Sequence, residues 1–227
     1  LSLINLVKVC VEIYLSAKAA RIDVPTHMAT QLQMGVGLPL DALKKDTIVE
    51  WRCVPGQMAE EAAVRQLAAA LQSNSTLVDL LLTRGGLGDD GMRIMFEEVG
   101  CGELPLLKEL SLDSNEIGDE GVKALASAIA GGALPSLKEL YLNVNKIGDE
   151  GVKALASAIA GGALPSLETL FLGNNKIGDE GMQALAQALA PGEDGKVTAL
   201  PKLKTVYLSD NPGNMEPVQK VGRERGF

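Results

Sequence analysis

Hydrophobic and polar positions repeat along this chain with a period of about 30 residues. Each period begins with the pattern LxxLxLxx, in which leucines alternate with polar residues, and continues with apolar residues at the spacing of one helix face. The alternation predicts a short strand and the later spacing predicts a helix. The segment IGDEGVKALASAIAGGALPS occupies residues 117–136 and, letter for letter, residues 147–166. The chain is therefore built mainly from copies of one strand–helix unit.

The copies keep one register. They begin LVDLLLTRGGLGDDG at Leu77, LKELSLDSNEIGDEG at Leu107, LKELYLNVNKIGDEG at Leu137 and LETLFLGNNKIGDEG at Leu167, and a fifth, LKTVYLSDNPGN, starts at Leu203 after an insertion. A degenerate unit is expected before them, with a strand over residues 51–54 and a helix over residues 60–71. Such a shared register indicates a stacked repeat array.

The ends of each helix carry recognisable signals. Three aspartates of the IGDEG motif stand where an N-cap is expected, accepting from the free amides of the following turn: Asp119, Asp149 and Asp179. In the next stretch the residues predicted to be buried are Val122, Leu125, Ala126 and Ile129. Gly131 and Gly132 then predict a left-handed C-cap.

The pattern LxxLxLxxNxIG followed by a helix resembles the leucine-rich repeat, specifically its long, ribonuclease-inhibitor-like type, over about residues 48–215. One such unit cannot bury its apolar side alone, so the copies must stack. The predicted fold is α/β, a leucine-rich repeat solenoid or horseshoe with a parallel inner β-sheet and outer helices. Residues 1–46 are predicted to form a helical N-terminal cap, residues 47–214 the repeats, and residues 215–227 a C-terminal cap.

One asparagine recurs after each strand. Its amide is expected to satisfy loop backbone groups that no sheet reaches, which is a structural role and not a chemical one. These residues are Asn115, Asn145, Asn175 and Asn211. Gly85 replaces the asparagine in the first clear copy, so the ladder is expected to be imperfect there.

The copies differ from one another in a restricted place. Between residues 107–136 and 137–166 the differences are Ser111 to Tyr141, Asp113 to Asn143, Ser114 to Val144 and Glu116 to Lys146. All four lie in the strand or the turn after it, where a solenoid exposes its concave surface. The copies therefore differ where a partner could bind.

The central outward position of successive strands carries Leu81, Ser111, Tyr141, Phe171 and Tyr207. Adjacent strands place the last three as a contiguous aromatic stripe, and exposed aromatic residues are typical of protein-binding hot spots. Mutual stacking that merely stabilises the sheet is the alternative. The flanking polar positions expected to contribute to protein binding are Glu109, Asp113, Glu139, Asn143, Thr169 and Thr205. Their acidic members favour a partner with Arg or Lys beside its apolar contact.

Charge and composition exclude several classes of function. A formal charge of −8 and a pI near 4.8 disfavour a nucleic-acid or anionic membrane surface. The three cysteines contain no CxxC pair, and His27 is the single histidine, so no metal, cofactor or catalytic residues are expected. The loop DSNEIGDEG lacks the glutamate that a calcium loop needs, and no Lys-Ser/Thr follows GGLGDDG as in a P-loop. The apolar opening run, residues 1–19, is read as a buried helix and not as a signal peptide.

These features predict a non-catalytic interaction or assembly scaffold that binds another protein, within a larger complex, in a reducing eukaryotic cytoplasm-like compartment. No nucleic acid and no membrane insertion are expected. Two alternatives remain. The IGDEG style of repeat is similar to that of the Ran GTPase-activating protein family, which implies a regulator of a small GTPase. The segment LVKVC, with Leu6 and Cys10 four residues apart, weakly resembles the elongin-binding box of ubiquitin-ligase substrate adaptors.

Overall fold

The computed structural model describes residues 50–52, 56, 58–72, 74–99, 104–192 and 199–227. All of these belong to one compact unit, residues 39–227. The predicted helical N-terminal cap, residues 1–46, lies outside the described residues.

Strands and helices alternate strictly along this part of the chain. The strands are β1 (Glu50–Arg52), β2 (Asp79–Leu81), β3 (Glu109–Ser111), β4 (Glu139–Tyr141), β5 (Thr169–Phe171) and β6 (Thr205–Tyr207). The helices are α1 (Glu61–Leu71), α2 (Gly88–Val99), α3 (Asp119–Ala130), α4 (Asp149–Ala160), α5 (Asp179–Leu189) and α6 (Glu216–Arg225). The degenerate first unit is present, with its strand beginning one residue earlier than predicted.

The strands form one parallel sheet in the order β1 to β6, and each helix packs against the helices of the neighbouring units. The register joins equivalent positions of successive copies, so that Leu110 pairs with Leu140 and Leu140 with Leu170. The predicted α/β leucine-rich repeat solenoid is therefore confirmed for these residues. Residues one repeat apart in sequence lie side by side in space.

The core lies between the sheet and the helices. Strand leucines such as Leu110 and Leu140 are at most 1% exposed, because alternate strand positions point toward the helices. On α3 the residues predicted to be buried are 0–4% exposed: Val122, Leu125, Ala126 and Ile129. Ala128 is also buried, at 9% exposed. α3 packs against α2 and α4, and its small alanine side chains allow such close contact.

The IGDEG aspartates do not cap their own helices, and this prediction was wrong. Asp119 is the first helical residue of α3, and no side chain caps that helix from Gly118. Asp119 Oδ1 instead accepts from the amides of Gly148, at 2.7 Å, and Gly151, at 2.9 Å, in the following repeat. Those amides are free because the first turn of a helix has no intrahelical acceptors. Stacking brings the carboxylate of one unit to the helix N-terminus of the next.

This contact between repeats also explains the two glycines of the motif. A Cβ added to Gly151 would lie 2.8 Å from Asp119 Oδ1, and one added to Gly148 would lie 3.1 Å from Asp119 Oδ2. The same bonds join Asp149 to the next unit, and Asp179 accepts from the amide of Asn214 at 2.8 Å. The motif is therefore a joint between units and not a local helix signal.

The last helix is fastened to the array by its final turn. The guanidinium of Arg225 donates to the carbonyl oxygens of Leu189, at 3.0 Å, and Leu200, at 2.7 Å, and it lies over the ring of Phe227. Partial burial lowers the pKa of Arg225 from its usual value. The helix predicted at the C-terminus is thus present and packs on α5.

Candidate protein-binding surface

The sheet has one face toward the helices and one open face, which we define by the side chains at the first and third residues of β2 to β6. Strand alternation produces this division, since successive side chains point to opposite sides. On β4 and β5 the central leucine is buried while the residues on either side of it are half-buried. On β6 the outer two residues are exposed. The open face therefore offers its side chains most freely toward the C-terminal strands.

Tyr141, Phe171 and Tyr207 form an aromatic stripe across the open face. The register places each opposite the next on adjacent strands. The Tyr141 and Phe171 rings are stacked, with centroids 4.8 Å apart and planes 8° from parallel. The Phe171 and Tyr207 centroids are 5.9 Å apart and their planes are tilted by 51°. Tyr207 is 44% exposed, so the stripe stabilises the sheet and still presents aromatic surface to solvent.

Gly173 explains the tilt at the end of the aromatic stripe. A Cβ at this position would lie 2.5 Å from Tyr207 Cε1, closer than two non-bonded carbon atoms can approach. The equivalent position is Asp113 in β3's repeat and Asn143 in β4's repeat. The loss of a side chain here lets the Tyr207 ring lie down over the preceding unit.

Acidic groups border the first ring of the stripe. The Tyr141 hydroxyl donates to Glu139 Oε2. The pKa of Tyr141 is raised above its ordinary value, first by partial burial and then by this hydrogen bond and by the charges of Glu139, Glu109 and Asp113. The Tyr141 hydroxyl therefore stays protonated, and the local potential is negative.

A short chain of polar contacts runs along the ends of the strands. Asp113 Oδ1 accepts from the Asn143 amide N–H, at 2.7 Å, and from Asn143 Nδ2, at 3.2 Å. Asn143 Oδ1 in turn accepts from the Gly173 amide, at 2.8 Å. Burial raises the pKa of Asp113, and the two bonds from Asn143 oppose that shift only in part. These two residues are thus tied to the scaffold as well as half-exposed.

Ser111 does not contribute exposed surface, contrary to expectation. It occupies the central outward position of β3 but is only 6% exposed, and its hydroxyl lies 2.7 Å from that of Thr83. A small side chain between larger neighbours is covered by them. Of the other predicted contacts, Glu109 and Thr169 are half-buried and Thr205 is exposed.

The recurring asparagines form a ladder beneath the open face. Asn145 is 9% exposed; its Oδ1 accepts from the amides of Asn115 and Ile117, and its Nδ2 donates to carbonyl oxygens of the preceding unit and of its own. Equivalent bonds are made by Asn115, Asn175 and Asn211. Where Gly85 replaces the asparagine, its backbone carbonyl accepts from Met58 at 2.7 Å. The ladder holds the strands' turns in place.

Val144 is a surface residue that the sequence pattern did not single out as a contact. It is 49% exposed and adopts φ of 56°, a left-handed conformation that β-branched residues rarely take. The same turn position holds Arg84, Ser114, Asn174 and Asp210, all with positive φ. Comparison of residues 107–136 with residues 137–166 did reveal the change from Ser114 to Val144. The shape of the turn could have been found only from the backbone.

The described part of the chain contains no group of three or more His, Cys, Asp or Glu residues that could hold a metal ion. Within the same ranges, no helix has the length and apolar character needed to cross a membrane. The open face offers aromatic stacking, hydrogen bonding and negative charge.

Comparison with known families agrees with this geometry. A family model described as Leucine Rich repeats (2 copies) matches residues 135–186, and one described as Leucine Rich repeat matches residues 103–126. The chain therefore contains leucine-rich repeats. The solved structure of Leiomodin-1 Actin-Binding Site 2 (ABS2) is similar over 83% of this chain and 87% of that chain, at 14% identity and a TM-score of 0.47. No curated protein matches the chain.

The presence of leucine-rich repeats indicates a class of function. Proteins of this kind are typically non-catalytic and serve as scaffolds for protein–protein interaction. Between the repeats of α3 and α4 the helices are identical while the open face and its turn vary, and α5 is similar to both helices.

Proposed function

We propose that this leucine-rich repeat protein is a non-catalytic scaffold of the ribonuclease-inhibitor-like type, and that it binds a partner protein through the open face of its sheet. The observation that carries the proposal is the aromatic stripe, Tyr141, Phe171 and Tyr207, which is continuous across three strands and partly exposed. Rigid aromatic side chains are enriched at protein-binding hot spots, because they bury much area at low cost in conformational entropy.

The aromatic stripe cannot supply tight binding by itself. If each ring buried about 100 Å² against a partner, the gross gain at ~25 cal/mol per Å² would be roughly 7 kcal/mol. Association costs an estimated ~4–15 kcal/mol in lost freedom of motion. Polar contacts beside the rings must therefore contribute to the affinity.

The polar border of the stripe favours a partner with positive charge. Glu139 and Asp113 are half-buried carboxylates next to Tyr141, and both raise its pKa. An Arg or Lys side chain of the partner would complement them, and its approach would be steered by the overall negative charge of the chain. Thr169, Thr205 and Asn143 add neutral hydrogen-bonding groups on the same face.

The test is a quantitative affinity purification from the source cell with the triple variant Tyr141→Ala, Phe171→Ala and Tyr207→Ala. We expect partners of the wild-type chain to be depleted about tenfold or more, because hot-spot truncations each cost about 2 kcal/mol. The control is the double variant Lys123→Ala and Lys153→Ala on the helical side, which should retain them. Unchanged partners for the triple variant, with wild-type thermal stability, would reject the open face as the site.

The same preparation separates the alternatives. Faster single-turnover GTP hydrolysis by a co-purified small GTPase would favour the regulator resembling the Ran GTPase-activating protein, and co-purified elongin subunits would favour the ubiquitin-ligase adaptor. The proposal also places the chain in a reducing intracellular compartment, supported by three cysteines without a CxxC pair. Fractionation of the source cell tests that placement.

A further inference from the structure

The last strand, β6, carries backbone groups that every earlier repeat uses for pairing. In four successive repeats the N–H of the leucine just after the strand donates to the next strand, from Leu82, Leu112, Leu142 and Leu172 at 2.8–2.9 Å. Leu208 stands at the same position after β6. Within the described ranges its N–H has no acceptor.

Two further groups continue the same series. The amides at the positive-φ turn position donate to the next repeat from Arg84, Ser114, Val144 and Asn174, and the next residue in that series is Asp210. The carbonyl oxygens of Val78, Lys108, Lys138 and Glu168 each accept two amides from the next strand, and the next residue is Lys204. Leu208 N–H, Asp210 N–H and Lys204 O thus form a ready-made row of pairing groups along the outer edge of β6.

An apolar groove lies beside this edge. In β2 to β5 the central inward residue is at most 1% exposed, whereas the equivalent Val206 is half-exposed. A groove of about 370 Å³ runs between β6 and α6, and its apolar lining includes Val206, Met215, Val218 and Phe227. In earlier repeats the central strand residue pairs with an aliphatic residue of the following strand, a leucine for β2 to β4 and Val206 for β5. The groove therefore fits one aliphatic side chain delivered by a seventh strand.

The charge at this end of the molecule differs from the rest. Residues 199–227 contain five Lys or Arg and three Asp or Glu, while the preceding 198 residues contain 16 Lys or Arg and 26 Asp or Glu. Lys202 and Lys204, at the start of β6, are exposed, and Lys204 pairs with Glu168. A negatively charged segment is attracted to this edge and repelled by the remainder of the chain.

From these observations we infer that the outer edge of β6 binds an extended, acidic segment of a partner protein as a seventh parallel strand. One aliphatic residue of the segment pairs with Val206 and fills the groove. The following residue is aromatic and continues the stripe beyond Tyr207, and acidic residues precede the pair, next to Lys202 and Lys204 and away from the exposed Asp210. This site adjoins the open face at Tyr207, but the backbone pairing at the edge of β6 does not depend on the function proposed for that face.

The direct test uses a strand-mimicking peptide, acetyl-EETLYLSN-amide, whose TLY core follows the pattern of β5 and whose neutral C-terminal end avoids Asp210. Amide hydrogen exchange is followed by NMR in the full chain at about 1 mM peptide. We expect exchange at Leu208 and Asp210 to slow by about tenfold or more, because hydrogen-bonded amides exchange only on opening. Leu172 and Asn174, which already donate to β6, are the internal controls and should not change.

Three matched changes identify the cause. Methylation of the peptide's Thr and Tyr amides removes backbone bonds while leaving the side chains, and should weaken binding about tenfold, the equivalent of one to two hydrogen bonds. The basic peptide acetyl-KKTLYLSN-amide should bind at least about threefold more weakly at low salt. Val206→Lys should abolish protection at Leu208, with unchanged exchange at Leu172 showing that the chain is folded.

A fusion of the peptide to the chain tests the same site if the free peptide binds too weakly. The acidic peptide is fused after Phe227 through a flexible linker of about 12 Gly and Ser residues, which sets an effective concentration in the millimolar range. Protection of Leu208 and Asp210 in this fusion supports the inference. Three results would overturn the inference: no protection in the fusion, equal binding of the basic peptide, or protection that appears without peptide. If protection without peptide rises with protein concentration, the occupant of the edge is a second copy of the chain.

Discussion

The two nearly identical copies, residues 107–136 and 137–166, have identical helices and differ only at four positions around the strand. In the structure three of those four pairs are neighbours across the boundary between the copies. Ser111 pairs with Tyr141, Asp113 accepts from Asn143, and Glu116 forms an ion pair with Lys146 at 2.7 Å. A perfect duplication would place Asp beside Asp and Glu beside Glu. Part of the divergence is therefore explained by stacking, and Tyr141 and Val144 are the changes that remain for the surface.

The identical parts of the two copies make identical contacts. Asp119 reaches Gly148 and Gly151 at 2.7 and 2.9 Å, and Asp149 reaches Gly178 and Gly181 at 2.6 and 2.9 Å. A residue that must bond an equivalent backbone group in every unit stays the same. At Asp113 and Glu116 the counterpart in the next copy has lost or reversed its charge, although Glu109 and Glu139 remain identical on adjacent strands.

The largest expected effect is at the buried asparagine. Asn145→Ala should lower the free energy of unfolding by about 4 kcal/mol, since it leaves the amides of Asn115 and Ile117 without their acceptor. Urea denaturation measures this change. Asn115→Ala should cost a similar amount, and the half-buried Asn211→Ala should cost less. Equal losses at all three positions would contradict a role set by burial.

The joint between repeats should be nearly as sensitive. Gly151→Ala should destabilise the chain by about 2–3 kcal/mol, because the new methyl group would lie 2.8 Å from Asp119 Oδ1. Gly121→Ala, in the other copy, should cost the same within about 0.5 kcal/mol. Thermal or urea unfolding supplies both values.

A double variant sharpens this prediction. With Asp119→Ala already present, the added cost of Gly151→Ala should fall markedly, because the oxygen that the methyl group meets is gone. Full additivity of the two changes would show that the clash with Asp119 is not the cause.

Making the copies alike should be destabilising in a pH-dependent way. Asn143→Asp places a carboxylate against Asp113, so we expect a loss of about 1 kcal/mol near neutral pH. The pKa of Asp113 is already raised by burial, and a second carboxylate would raise it further. A raised pKa in the folded state means that the penalty is absent at low pH and develops as the pH rises through that pKa. Urea melts of both proteins at about pH 3 and pH 7 would test this, and an equal loss at both values would contradict it.

The smallest expected effect is a gain. Val144→Asn should stabilise the chain by about 0.5–1 kcal/mol, because asparagine tolerates the left-handed conformation better than a β-branched residue. The reciprocal change one repeat later, Asn174→Val, should cost a similar amount. If Val144 also contacts a partner, the stabilised variant will bind more weakly, which an affinity measurement on the same preparation would detect.

The repeating pattern predicted the architecture closely, but it predicted the polar contacts between neighbouring repeats poorly. Leucine alternation and helical spacing are local and periodic, so they predicted which residues are buried, which strands pair and that Tyr141, Phe171 and Tyr207 are neighbours. The role of Asp119 was predicted wrongly because a capping motif looks the same whether its acceptor lies in its own helix or in the one before. Ser111 was expected to be exposed because exposure depends on the size of its neighbours as well as on alternation.

The sequence by itself determined that strand–helix units of one period stack in register, since each unit has apolar positions that only another copy can bury. Only the tertiary structure decided which polar groups meet between units: that Asp119 bonds Gly148 and Gly151, that Gly173 makes room for Tyr207, and that Leu208 N–H faces an unfilled edge. The physical reason is that the two kinds of feature depend on positions to different precision. Burial follows from periodicity along the chain, whereas hydrogen bonds and van der Waals contacts depend on positions to within a few tenths of an ångström, which only the folded backbone sets.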